Sequence, residues 1–119
     1  MTKEVNGKTY LVFTDLRKAC EYKGKYKVLL EGDADFRNTD IKDSGKLEII
    51  TGNVDFSDSI IESLPKLKTI NGYANFRNSR IKNLPNLVTI NGDVDFTDSK
   101  IPGSERVRLE GLSNINKNI

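Results

Sequence analysis

Gly72-Tyr73-Ala74-Asn75-Phe76-Arg77-Asn78-Ser79-Arg80-Ile81 is followed, 20 residues on, by Gly92-Asp93-Val94-Asp95-Phe96-Thr97-Asp98-Ser99-Lys100-Ile101. The pattern extends upstream from this pair. Gly32, Gly52, Gly72 and Gly92 form one column, Phe36, Phe56, Phe76 and Phe96 a second, and Ile41, Ile61, Ile81 and Ile101 a third. Four of the chain's five Phe fall in one column, which chance does not produce. A fixed short period is the mark of a chain wound into stacked coils, each too small to bury its own apolar face.

The columns read as strands and turns. Ala34, Val54, Ala74 and Val94 are each followed two residues later by the Phe, with Asp35, Asp55, Asn75 or Asp95 between. That alternation predicts a short half-buried strand, with the Phe rings stacked inside at roughly 4.8 Å. The Ile column buries the far side of the turn. Leu64-Pro65 and Leu84-Pro85 turn the chain where no ladder N–H is needed. Leu47, Leu67 and Leu87 with Ile50, Ile70 and Ile90 bring it back to the next coil. Asn71-Gly72 and Asn91-Gly92 predict tight turns with positive φ. Thr39, Ser59, Ser79 and Ser99 form a hydroxyl column expected to bond the backbone of the neighbouring coil. A catalytic serine is the weaker reading, because every coil has the hydroxyl and no base accompanies it.

Composition sets limits on chemistry. The 119 residues suffice for one domain with a modest core, 36% of them apolar and 30% charged. There is no His, no Trp and a single Cys, Cys20. This excludes imidazole acid–base catalysis, a Ser-His-Asp triad, a Cys/His zinc site and an intramolecular disulfide. A net charge of +2 is too small for a polybasic nucleic-acid binder. No run approaches the ~20 apolar residues of a membrane span. Met1-Thr2-Lys3-Glu4 leads into a polar stretch rather than the apolar core of a signal peptide. A soluble, cytoplasmic protein is expected.

Val94-Asp95-Phe96-Thr97-Asp98-Ser99-Lys100-Ile101 resembles the L-x-L-x-x-N-x-L core of leucine-rich repeats, with Val, Phe and Ile in the Leu positions and Ser in the Asn position. The stretch from Leu84 to Phe96 is similar to the coil of receptor L domains. Short solenoids of this kind occur in small bacterial and phage proteins. The resemblance covers about residues 32–101, and a 20-residue coil leaves little room for a convex helix. The expected fold is mainly β, a short right-handed solenoid, two- or three-sided, with extended or 3₁₀ convex segments and a small αβ cap at the N-terminus. The resemblance implies partner binding through the exposed strand face, not an enzyme.

One domain is expected in three parts: a cap over 1–31, four coils over 32–103 with the fourth incomplete, and a degenerate last coil with a tail over 104–119. In the cap, Thr9-Tyr10-Leu11-Val12-Phe13 reads as a strand preceded by an Asn6-Gly7 turn. Thr14 is the expected N-cap of a helix burying Leu16, Ala19 and Cys20, with Gly24 as its stop. Tyr26 to Glu31 reads as a second strand. Arg106 to Glu110 followed by Gly111 echoes Lys27 to Glu31 followed by Gly32 and reads as the last coil. Asn114 to Ile119 is expected to fray.

Binding chemistry concentrates on the strand face. Alternation points Asp33, Asn53, Tyr73 and Asp93 outward, then Asp35, Asp55, Asn75 and Asp95, then Arg37, Ser57, Arg77 and Thr97. Stacked carboxylates repel, so solvation with Arg37 and Arg77, a basic partner, or a bound cation must offset them. On that view Asp55→Ala is neutral or stabilising. Calcium-binding repeats carry Gly-rich loops that these coils lack, so no metal or other cofactor is assigned. Paired carboxylates such as Asp35 and Asp55 arise automatically in a solenoid, and a shallow face lacks the closed pocket that would tune them for catalysis.

Residues 63–91 contain no acid but include Lys66, Lys68, Arg77, Arg80 and Lys82. Tyr73 and Arg77 would share a face there, and both residue types are favoured in binding hot spots. Surface drift is the plain alternative. The expected function is protein binding through Asp33, Asp35, Arg37, Asp55, Tyr73, Asn75, Arg77, Asp93 and Asp95. A phage or mobile-element inhibitor of a host enzyme, including one of nucleic-acid-targeting defence, is a specific version. The alternatives are a homo-oligomer, such as a dimer pairing through coil edges, and a nucleic-acid binder through the basic third coil and N-terminal lysines. No membrane partner is expected.

Overall fold

The computed structural model describes residues 1–112. The chain opens with a hairpin of β1 (Thr2–Val5) and β2 (Lys8–Phe13), followed by α1 (Leu16–Glu21) and β3 (Lys27–Leu30). Short strands then alternate: β4 (Ala34–Asp35), β5 (Leu47–Ile50), β6 (Val54–Asp55), β7 (Thr69–Ile70), β8 (Ala74–Asn75), β9 (Thr89–Ile90) and β10 (Val94–Asp95). A helix, α2 (Gly103–Leu112), ends the described chain. The strands form a six-stranded sheet, β1-β2-β3-β5-β7-β9, and a four-stranded sheet, β10-β8-β6-β4. Only the β1–β2 pair is antiparallel among these. Val54 pairs with Ala74 and Ile50 with Ile70, so register follows the sequence period. The fold is a β-solenoid of about four turns, each coil giving one strand to each sheet.

The Phe column is the spine. Successive ring centroids from Phe36 to Phe96 lie 5.0, 5.1 and 5.3 Å apart, with interplanar angles of 19°, 15° and 7°. These separations sit just above the ~4.8 Å strand spacing, because in-register parallel strands repeat the same ring at the same place. Ile61, Ile81, Leu64, Leu84, Leu67, Leu87, Ile70 and Ile90 complete a fully buried core. Ala19 and Cys20 of α1 and Leu109 of α2 join the same cluster from the two ends of the chain.

Two turn columns have causes other than those expected. Gly72 and Gly92 do not have positive φ. A Cβ on Gly72 would lie 2.8 Å from the Gly52 carbonyl oxygen, and one on Gly92 2.6 Å from that of Gly72. The column therefore allows backbones of successive coils to touch: Gly72 N–H donates to Gly52 at 3.1 Å and Gly92 N–H to Gly72 at 3.0 Å. Left-handed φ falls instead on Asn38, Asp58, Asn78 and Asp98, at 55°, 55°, 50° and 56°. Asn and Asp tolerate that region better than other side-chain-bearing residues. In the hydroxyl column Thr39 and Ser59 act within their own coil, and the buried Ser79 Oγ has no hydrogen-bond partner among the described residues. Thr39 Oγ1 donates to Phe36 O at 2.9 Å and Ser59 Oγ to Phe56 O at 2.8 Å, closing the turn rather than bridging coils.

The ends bring further corrections. Asp15, not Thr14, caps α1, its carboxylate accepting from Lys18 N–H at 3.0 Å; a carboxylate also suits a helix N-terminus electrostatically. The polar, mostly exposed β1 was not foreseen, although Asn6 and Gly7, with φ of 52° and 80°, make the tight turn that the dipeptide predicts. Arg106 to Glu110 belongs to helix α2 and not to a last coil. That stretch lacks the Phe and Ile columns that make a coil bury anything. The expectation for Asn114 to Ile119 lies outside the described residues. Among the described residues no helix is long and apolar enough to cross a membrane.

Candidate functional site

The column Asp35, Asp55, Asn75 and Asp95 closes turns. Each side-chain oxygen accepts the backbone N–H two residues on: Arg37 at 3.0 Å, Ser57 at 2.9 Å, Arg77 at 2.9 Å and Thr97 at 2.9 Å. These are Asx turns. Ser57 and Thr97 hydroxyls donate to the same carboxylates at 2.5 and 2.7 Å. Arg37 forks onto Asp35 at 3.0 and 2.9 Å and lies 3.4 Å from Asp55. The Arg37 side chain thus holds the Asp35 carboxyl below its ordinary range, and the Thr97 N–H does the same for Asp95. The acidic column is not a bare repulsive ladder, so the condition under which Asp55→Ala would be neutral or stabilising is not met.

The outer column links coils. Asp33 Oδ1 accepts Asn53 N–H at 2.8 Å, and Asn53 Oδ1 accepts Tyr73 N–H at 2.9 Å. Tyr73 has no such acceptor, so the relay stops; Asp93 turns to the adjacent Val94 N–H at 2.8 Å. The Tyr73 ring is left 36% exposed. Partial burial, then the charges of Asp95, Asp93 and Asp55, raise its phenol pKa. Tyr73 walls a shallow concavity of about 270 Å³ with Asp33, Asp35, Arg37, Asn53, Asp55 and Asn75. Arg77 faces a second hollow beside it, shared with Arg37, Asp55, Asn75 and Thr97.

The third-coil cations do not converge. Lys82 pairs with Glu62 at 3.5 Å, Lys68 with Glu48 at 3.4 Å, and Arg80 stands exposed. Lys66 lines a recess with Lys25, Lys27 and Lys46 from the N-terminal side.

Glu48 was missed in the sequence. Val28 pairs with Leu47 and Leu29 with Ile49, leaving Glu48 as the extra residue of a bulge, which re-aims its side chain. The carboxylate is 5% exposed. It accepts from Tyr10 Oη at 3.1 Å and Lys27 Nζ at 2.9 Å, and Lys68 Nζ lies 3.4 Å away. Burial pushes its pKa up, but the Lys27 and Tyr10 hydrogen bonds and the two ammonium charges outweigh burial and leave it below the ordinary value. Burial and the Glu48 charge push Tyr10 up to about 12. An acid interrupting the apolar run Leu47-Glu48-Ile49-Ile50 was the available signal. Cys20, buried and pushed up to about 12, has no nucleophilic character. Among the described residues no three Cys, Asp or Glu side chains group as a metal-ligand set.

No family model, no curated protein and no solved structure matches this chain.

Proposed function

We propose that the chain is a protein-binding module acting through the exposed face of the four-stranded sheet. The observation that supports this is the concavity walled by Tyr73 and Arg37, on a face whose turns are fixed by side-chain hydrogen bonds. A face ordered before binding loses little entropy on contact. Tyr and Arg are the side chains that most often dominate binding energy. The likeness of the coils to leucine-rich repeats and to small phage solenoids extends the proposal to a cytoplasmic, stand-alone inhibitor of a host enzyme.

The test is a tagged capture from host lysate, with wild type beside a Tyr73→Ala/Arg77→Glu variant of unchanged melting temperature. One partner enriched by the wild type and lost with the variant is the expected result. A partner retained at the wild-type level places the contact elsewhere and overturns the assignment to this face.

A further inference from the structure

The outer face of the six-stranded sheet forms a groove of about 680 Å³ that takes a lining residue from every strand: Val5, Tyr10, Leu29, Ile49, Thr69 and Thr89. Tyr10, Leu29 and Ile49 form an apolar cluster separate from the main core, with Val5 and Val12 packed against it. Val88, at the position that Glu48 and Lys68 hold in earlier coils, is 61% exposed and forms a wall. The chain thus has an apolar stripe outside the solenoid as well as the Phe spine within.

The charge around this groove is one-sided. Lys3, Lys8 and Lys68 line it, and the recess beside it adds Lys25, Lys27, Lys46 and Lys66. Seven lysines thus face two carboxylates, Glu4 and Glu48, in a chain whose total charge is only +2. Both carboxylates are engaged, Glu4 by the Thr9 hydroxyl and Glu48 by Tyr10, Lys27 and Lys68. Several ammonium groups are also held in place. Lys27 and Lys68 sit on Glu48, Lys46 donates to Gly24 O, and Lys25 lies 5.3 Å over the Tyr26 ring.

We propose that this groove docks an acidic, extended segment of a partner protein, with apolar residues interspersed among its carboxylates. Charge complementarity selects the acid, and the exposed Val88 with the half-buried Val5 selects the apolar residues, over a floor of Leu29 and Ile49 that is already covered. Six strands at ~4.8 Å span ~24 Å, the length of about seven extended residues. A nucleic acid fits less well: the floor is aliphatic, the Tyr10 ring is buried, and Tyr26 is already covered by Lys25, so no free ring offers a base a stacking platform. This surface is distinct from the strand face of the proposed function and stands or falls separately.

The test is fluorescence anisotropy of the full chain with a labelled ten-residue peptide alternating Val and Glu. Its Gln-for-Glu analogue and a ten-nucleotide dT strand serve as comparisons. The expected result is saturable binding of the Glu peptide, at least tenfold weaker for the Gln analogue, the dT strand and the variants Lys8→Glu and Val88→Asp. Both sites are exposed, so folding is retained and is checked by circular dichroism. The Tyr73→Ala/Arg77→Glu variant binds the peptide like wild type. Equal affinity for the Glu and Gln peptides overturns the proposal, as does tighter binding of dT. A mass that rises with concentration and is reset by Lys8→Glu assigns the groove to the acidic face of a second copy, and overturns it too.

Discussion

At Asp55 the sequence and the structure assign opposite costs to one substitution. An exposed carboxylate among stacked carboxylates reads as a liability, yet here the side chain accepts both the N–H and the hydroxyl of Ser57. Asp55→Ala is expected to destabilise by about 1–2 kcal/mol, the range for losing net hydrogen bonds to a charged, partly exposed acceptor. Asp55→Asn is expected to cost under half as much, since Asn75 already closes the same turn in the next coil. Urea unfolding of both variants checks this; a more stable Ala variant would restore the repulsive-ladder reading. The same limit on legibility applies along the repeat. A column shows that a residue type is required and not why. The Phe column was readable because burial is the one thing a periodic Phe does. From Gly52 to Gly92 the Gly column is close approach rather than positive φ, which in that column belongs to Gly32 at 114°, and the left-handed side-chain-bearing residues are the Asn/Asp column two places after the Phe.

Between elements, Glu48 is where the N-terminal hairpin is tied to the coils: Tyr10 is on β2, Lys27 on β3, Glu48 on β5, and Lys68 just before β7. The tie depends on pH at both ends. The Glu48 pKa is lowered in the fold, so its contribution is present above the ordinary value of 4.5 and is lost as pH falls through the lower folded value. The Tyr10 pKa is raised, so its contribution is complete below the ordinary 10.0 and is lost as pH rises toward about 12, when a phenolate would face the carboxylate. Thermal melts from pH 9 to 12 are expected to show a steeper fall for wild type than for Tyr10→Phe, which has no proton to lose. Parallel curves would mean that the tyrosine gives no pH-linked stability. The acid inside the run Leu47-Glu48-Ile49-Ile50 is visible in the sequence but its partners are not, because Tyr10 lies 38 positions away across a bulge that no periodicity announces. The strands β2 and β3 were legible, β2 as a run of β-branched and aromatic residues and β3 as the short apolar run Val28-Leu29-Leu30. The edge strand β1 was not, since its residues are polar and it exists only by pairing with β2.

For the molecule as a whole, the ends decide whether a stack of coils stays closed. Each coil contacts mainly its neighbours, so stability is close to a sum of coil and interface terms, and an uncapped end exposes core residues. At the C-terminal end α2 supplies the cap. Leu109 enters the core, Arg106 lies 5.8 Å over the last Phe ring, and the Arg108 guanidinium donates to Leu84 O at 2.7 Å and Leu87 O at 2.6 Å while paired with Glu105. The period predicted a further coil here because Arg106 to Glu110 echoes Lys27 to Glu31, but in the helix Arg108 reaches back to two carbonyl groups of the last turn of the stack. Arg108→Ala leaves those carbonyls without that donor and is expected to cost about 1.5–3 kcal/mol, the usual range for a hydrogen bond to a charged group. Val107→Ala, at a side chain 72% exposed, is expected to change stability by under about 0.5 kcal/mol. Limited proteolysis distinguishes a cap from a bystander. In Arg108→Ala the cleavage rate is expected to rise within α2 and the last coil while the β1–β3 end keeps its wild-type rate, because in a stack of neighbour contacts fraying starts at the loosened end. Uniform acceleration along the chain would mean that the solenoid unfolds as one unit, with the helix contributing to total stability rather than guarding an end.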